Sequence, residues 1–198
     1  KNPINESEFM NGKLEPTNSP YAMAKLSAIE IGRSMSKQFG HKILNLMPTN
    51  LYGPNDYFSD LDSHVIPALI HRMQKTIEND EDKFTVWGSG SPLREFLYVD
   101  DLSNFINFII DKEIENDLIN VGSGQEISIK NLALLIKDLM GFQGDVIFDS
   151  SKPDGNPRKL LDSSLMNELG WNDFTDLRNG LTSTIKWYKS NSESKRIN

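Results

Sequence analysis

The sequence holds 198 residues, 37% hydrophobic and 25% charged, which suits a globular chain with room for one large domain or one and a half small ones. A formal net charge of −7 argues against a nucleic-acid backbone as partner, yet leaves room for a small anionic ligand gripped by a few arginines. With no cysteine there is no disulfide, thiolate zinc site or cysteine nucleophile; no apolar run reaches the roughly 20 residues of a membrane span; and no leader-like segment opens the chain, so no membrane partner, no metal and a cytoplasmic setting are expected.

In chain order, KNPINESEFMNGKLEPTN is polar and broken by prolines and a glycine, and predicts a loop. SPYAMAKLSAIEIGRSMSKQFG predicts a helix, with Ser19 as N-cap, Pro20 in the first turn and Gly40 at the stop. HKILNLMP predicts a short strand buried on both faces, as in a parallel sheet. LYGPNDYFSDLDS predicts a loop, HVIPALIHRMQKTIE a helix with Pro67 in its first turn, and KFTVWG a strand. The acidic ENDEDK at 78–83 is expected to be a solvated loop.

GSGSPLREF predicts a loop, and FLYVDDLSNFINFIID begins extended and turns helical near Asp100 or Asp101. LINVGS predicts a strand, EISIKNLALLIKDLMG a helix from Ser128 to Gly141 with a 3.6-residue apolar stripe, and DVIFD a strand. DSSLMNELGW and TDLRNGLTSTIKWYKS predict the last helices, and NSESKRIN a frayed tail. The two G-x-G pairs, in GSGSP and GSGQE, lack a third glycine opening a helix and are expected to be turns.

Alternating helices and strands predict an α/β fold, the later part of a doubly wound Rossmann-type parallel sheet plus a smaller α/β substrate-binding domain. The chain enters on a loop and a helix. The first βα units, with their phosphate-binding glycine turn, are therefore expected upstream, on the order of a hundred residues.

Tyr21 and Lys25 sit at i and i+4, on one helix face. A phenol holds its proton too tightly for exchange at neutral pH, and an ammonium beside it stabilises the phenolate. Such a couple can protonate a carbonyl oxygen while hydride reaches its carbon. The spacing equally fits a surface tyrosine packed on a lysine stem. His64, just before an apolar helix, is either a cap or packing residue or an acid titrating near neutrality. Arg72 and Arg94 are either surface charges or forks for a diphosphate. Trp87 is either core or a contact for a nucleotide base.

SPYAMAK, MPTNLYGP and SHVIPALI together resemble the extended short-chain dehydrogenase/reductase family, and the likeness runs from about Glu6 to about Trp187. VWGSGSPLREFLYVDDL, INVGSG and SKPDGNPRKLLD are similar to the members that epimerise and then reduce a 4-keto-6-deoxy sugar carried on GDP. The resemblance implies NADPH (NADP) as cofactor, a GDP-linked nucleotide sugar as substrate and a homodimer when complete. It implies catalysis by Tyr21, Lys25 and His64, and cofactor contacts by these three with Pro48, Thr49, Asn50 and Leu51. Substrate contacts are implied at Arg72, Trp87 and Arg94 and at a basic position around Arg158 and Lys159.

The family's glycine-rich loop, catalytic serine and epimerisation cysteine would precede Lys1. The implied domains are 1–54, the end of the cofactor domain, with a return segment near 95–121, and 55–198, mainly the sugar-nucleotide domain. Another NAD-dependent epimerase or dehydratase of the family, and an inactive sugar-nucleotide-binding module, remain alternatives.

Overall fold

A computed structural model describes residues 1–60 and 62–194. In chain order its elements are α1 (Ser19–Phe39), β1 (Asn45–Pro48), β2 (Asn50–Tyr52), α2 (Val65–Glu78), β3 (Lys83–Trp87), β4 (Leu93–Tyr98), α3 (Val99–Ile109), β5 (Leu118–Val121), β6 (Glu126–Ser128), α4 (Ile129–Met140), β7 (Asp145–Asp149), β8 (Arg158–Lys159), α5 (Ser164–Glu168) and α6 (Leu177–Ser194). The fold is α/β. Strand pairs β1–β5, β2–β4, β3–β7 and β4–β8 are parallel, and β6 joins β4 antiparallel.

The helix boundaries follow local chemistry. The Ser128 hydroxyl accepts the Asn131 N–H at 3.1 Å and starts α4, and Gly141 ends it at φ 73°. Gly40 ends α1 in the same left-handed conformation, its N–H donated to the Ser36 carbonyl. The start of α1 differs from expectation. Asn18 holds the cap position without a side-chain bond, because the 3₁₀ turn Pro16–Asn18 already winds the chain and Ser19 is helical.

β1 is shorter and less buried than expected. Asn45 and Leu46 are half-buried while Met47 and Pro48 are exposed, because β5 is the only partner of β1 among the described residues. Part of LYGPND forms β2 and part of GSGSPLREF forms β4, both expected as loops. Three-residue β2 is too short to show a period-2 pattern and exists by pairing with β4. Helix α6 continues through Ser194, so 191–194 are helical rather than frayed, and 195–198 lie outside the described residues. The glycine pairs do form turns, with Gly88, Gly90 and Gly124 at φ 84°, 78° and 70°.

Alternation along β4 divides the interior. Phe96 belongs to a cluster built on α2, α4 and α6 around Ile66, Ile70, Leu132, Ile136 and Leu181. Its neighbour Leu97 belongs to a second cluster with Phe105, Ile109, Ile119, Val121 and Met166. Removing a fully buried side chain such as Leu132 costs about 2–5 kcal/mol. No helix among the described residues is long and apolar enough to cross a membrane.

Candidate active site

The carboxyl end of β1 opens into a cleft of about 890 Å³ lined by Tyr21, Met47 to Asp56, His64, Lys159 and Leu161, among others. Ligands of parallel α/β sheets bind beyond such strand ends. The floor is held by main-chain acceptors. Thr49 donates its N–H to the Val121 carbonyl at 2.9 Å, and the Thr49 hydroxyl and Asn50 amide donate to the Glu95 carbonyl at 3.2 and 2.8 Å. Pro48 ends β1 and Asn50 and Leu51 belong to β2, so the stretch expected as a loop is two short strands stepping at Thr49, held in place by strand pairing beside the cleft.

Tyr21 enters from the first turn of α1 and is 59% exposed. Lys25 does not line the cleft. It stands behind Tyr21, with Nζ 5.4 Å from the ring centroid. His64 ends the loop before α2. It occupies the cap position without making a cap bond, and its side chain is 85% exposed, so neither capping nor packing accounts for it. Its Nδ1 lies 3.9 Å from Asp56 Oδ1, an oxygen that also accepts the Tyr57 N–H at 2.7 Å. Sequence reasoning missed Asp56, since nothing in GPND marks it as the neighbour of a side chain across the loop.

Of the expected substrate contacts, only Lys159 joins this cleft. Arg72 and Trp87 form a separate unit. The guanidinium lies 4.9 Å from the Trp87 ring and 5.6 Å from Phe84, donates to the Thr85 carbonyl at 2.6 Å, and lines a hollow of about 230 Å³. Trp87 is 50% exposed, so its core reading fails. Arg94 donates to the carbonyls of Leu93 and Asn156 at 2.7 and 2.6 Å. Burial lowers the pKa of Arg72 and Arg94, with Asp60 opposing it at the first and Asp154 at the second, yet guanidinium groups keep their charge. Arg158 is engaged elsewhere, in a forked pair with Glu126 at 2.8 and 2.7 Å. Strand pairing sets Lys159 beside Arg94 in register.

Glu95 is a second residue that sequence reasoning missed. It is fully buried, and burial raises its pKa against the opposing pull of the Leu161 and Gly124 N–H groups. Its one visible signal is a charge inside the apolar strand LREFLY. Among the described residues, no group of three or more His, Asp or Glu is placed to hold a metal ion.

A parallel α/β scaffold with Tyr21 and Lys25 on a helix beside the carboxyl end of β1 is of the kind that binds dinucleotide cofactors. The chain belongs to the NAD dependent epimerase/dehydratase family, whose sequence profile matches residues 1–122. It is 49% identical over 189 residues to the probable GDP-L-fucose synthase 1 of Oryza sativa subsp. japonica, covering 96% of this chain and 58% of that protein. It is 44% identical over 202 residues to the GDP-L-fucose synthase of Escherichia coli (strain K12), covering 98% of this chain and 63% of that protein. The crystal structure of a GDP-L-fucose synthetase from Naegleria fowleri bound to NADP matches with a TM-score of 0.92 at 31% identity, over 98% of this chain and 63% of that one. The chain thus spans about three-fifths of the length of these proteins.

Proposed function

We propose that the protein carrying this chain epimerises GDP-4-keto-6-deoxy-D-mannose and reduces it to GDP-L-fucose with NADPH. The observation that carries this reading is that Tyr21, backed by Lys25, and His64 line one cleft at the end of β1. The names of the relatives support the product, GDP-L-fucose.

The 4-ketone of such a sugar acidifies the protons on the carbons beside it. A base takes up each such proton and an acid returns one on the other face; His64, exposed in the cleft and near Asp56, would share these two roles with the cysteine that the family carries upstream of Lys1. Tyr21 then donates its proton to the C4 oxygen as this becomes a hydroxyl, and the Lys25 ammonium stabilises the phenolate left behind. Lys159 and Arg94, side by side on paired strands, attract the diphosphate, and the Arg72–Trp87 unit receives the nucleotide base and its adjoining phosphate. In this reading Arg158 acts only by fastening its strand to Glu126.

The residues present fit the nicotinamide end of the cofactor. Tyr21, Lys25 and His64 with the Pro48 to Leu51 loop would hold it, and NADPH when bound would supply the hydride for C4. For the pyrophosphate, the 198 residues offer no Gly-x-x-Gly-x-x-Gly turn. In this reading 1–54 with a return segment near 95–121 belong to the cofactor side, and 55–198 mainly to the sugar-nucleotide side. The reading includes pairing of two copies in the complete protein.

The test is incubation of the protein at the relatives' full length with the keto sugar and NADPH, following absorbance at 340 nm and the sugar product. Stoichiometric oxidation with formation of GDP-L-fucose is expected. Recovery of a 4-epimer or dehydrated sugar without net NADPH oxidation would overturn the reading in favour of a sister enzyme that recycles its cofactor.

A further inference from the structure

Glu95 joins both walls of the cleft. Its main-chain carbonyl accepts the Thr49 hydroxyl and the Asn50 amide of the cofactor-side loop, at 3.2 and 2.8 Å. Its carboxylate accepts the Leu161 N–H through Oε2 at 3.1 Å and the Gly124 N–H through Oε1 at 2.8 Å. Leu161 lines the cleft two residues after Lys159, the one expected substrate cation found there. A single residue on β4 therefore bonds the Thr49–Asn50 segment through its main chain and, through its side chain, the segment just after the strand that carries Lys159.

The chemistry of this clamp is specific. Burying a carboxylate is costly, and two charge-assisted N–H bonds offset that cost only while both are made. A glutamate offers two acceptor oxygens, whereas glutamine offers one acceptor and one donor, and its NH₂ would face an N–H. Gly122 leaves the room the carboxylate needs, since a Cβ there would collide with Oε1. An apolar residue would fill a buried strand position at lower cost, so the fold alone does not call for an acid here.

We propose that Glu95 is a positioning residue for nucleotide-sugar binding: through Leu161 it holds Lys159 at a set distance from the Thr49–Asn50 loop, and so from Tyr21. This rests on the nucleotide-sugar reading above.

The experiment compares wild type, Glu95→Gln, Lys159→Ala and the double variant, in the protein at the relatives' full length, with the GDP-linked keto sugar as the varied substrate and NADPH saturating. If wild type turns over no nucleotide sugar, the functional reading itself has failed, and the positioning role falls with it. If wild type is active, Glu95→Gln is expected to raise KM for the sugar about tenfold with kcat within about threefold, the pattern of lost uniform binding. In the double variant KM is expected to match Lys159→Ala alone, since residues that act through one another are not additive. Gly122→Ala, which pushes on the same carboxylate, is expected to copy Glu95→Gln. An unchanged KM in an active Glu95→Gln protein, or additive effects of Glu95→Gln and Lys159→Ala, would overturn the proposal. So would failure of both Glu95→Gln and Gly122→Ala to fold, which would assign Glu95 to stability instead.

Discussion

The Lys25 ammonium lies over the Tyr21 ring, 5.4 Å from its centre and one helical turn further along α1. That distance suits a cation that stabilises the phenolate electrostatically. Lys25→Met keeps the stem and removes the charge. It is expected to slow the reductive step by about a hundredfold, within the range of general acid–base contributions, while raising KM for the sugar little. Steady-state kinetics with the keto sugar check this, and a full-rate Lys25→Met enzyme would remove the lysine from the mechanism.

His64 and Asp56, both lining the cleft, approach to 3.9 Å. Asp56→Asn is expected to leave reduction of an already epimerised ketone within about twofold and to slow epimerisation about tenfold, because the carboxylate beside Nδ1 orients the ring in the cleft. His64→Asn should stop solvent exchange beside the ketone. Normal deuterium uptake in His64→Asn, read by mass spectrometry, would sink this role.

A different histidine governs stability. The His71 ring is packed against Tyr188, whose hydroxyl is 2.8 Å from Nδ1, while Asp60 stands 3.6 Å from Nε2 and pairs with Lys75. Burial lowers the His71 pKa, Lys75 adds to this, and Asp60 and Glu78 oppose it. A lowered folded value means that the unfolded chain binds the proton more readily. The stabilisation is complete above the usual histidine value of about 6.5 and is lost as pH falls through the depressed folded value. Urea midpoints at pH 7.5 and 5.5 should therefore fall more for wild type than for His71→Asn. Equal falls would contradict the assignment.

Alone, these 198 residues are expected to bind NADPH negligibly. A dinucleotide pyrophosphate is held by backbone N–H groups where a glycine turn opens a helix, and both G-x-G pairs here form turns that lead into strands. Calorimetric titration decides the point, and a micromolar dissociation constant would show that other elements hold the cofactor.

The helices were legible because their signals are local. Ser128 and Gly141 bracket α4 within one stretch of sequence, and Pro67 marks the first turn of α2. The missed strands β2 and β8 owe their existence to pairing with β4, in the second case across more than sixty residues of sequence, which no short window contains. The site shows the same divide. Tyr21, the Pro48 to Leu51 loop and His64 could be placed from strand order and motif. The contrast between Arg158 and Lys159 could not, because it depends on Glu126, which lies 32 positions away and takes the arginine. Glu95 was hidden for a related reason: its partners Gly124 and Leu161 come from two later segments.

The central claim is that one cleft carries two separable steps, with His64 serving epimerisation and Tyr21 serving reduction. The most direct measurement is mass spectrometry of the nucleotide sugar recovered after incubating Tyr21→Phe, at the relatives' full length, with keto sugar and NADPH in D₂O. The phenylalanine keeps the ring and removes the proton donor. The account predicts deuterium beside the ketone at the wild-type rate, with reduction slowed at least about a hundredfold. Wild-type reduction, or loss of deuterium uptake together with reduction, would contradict it.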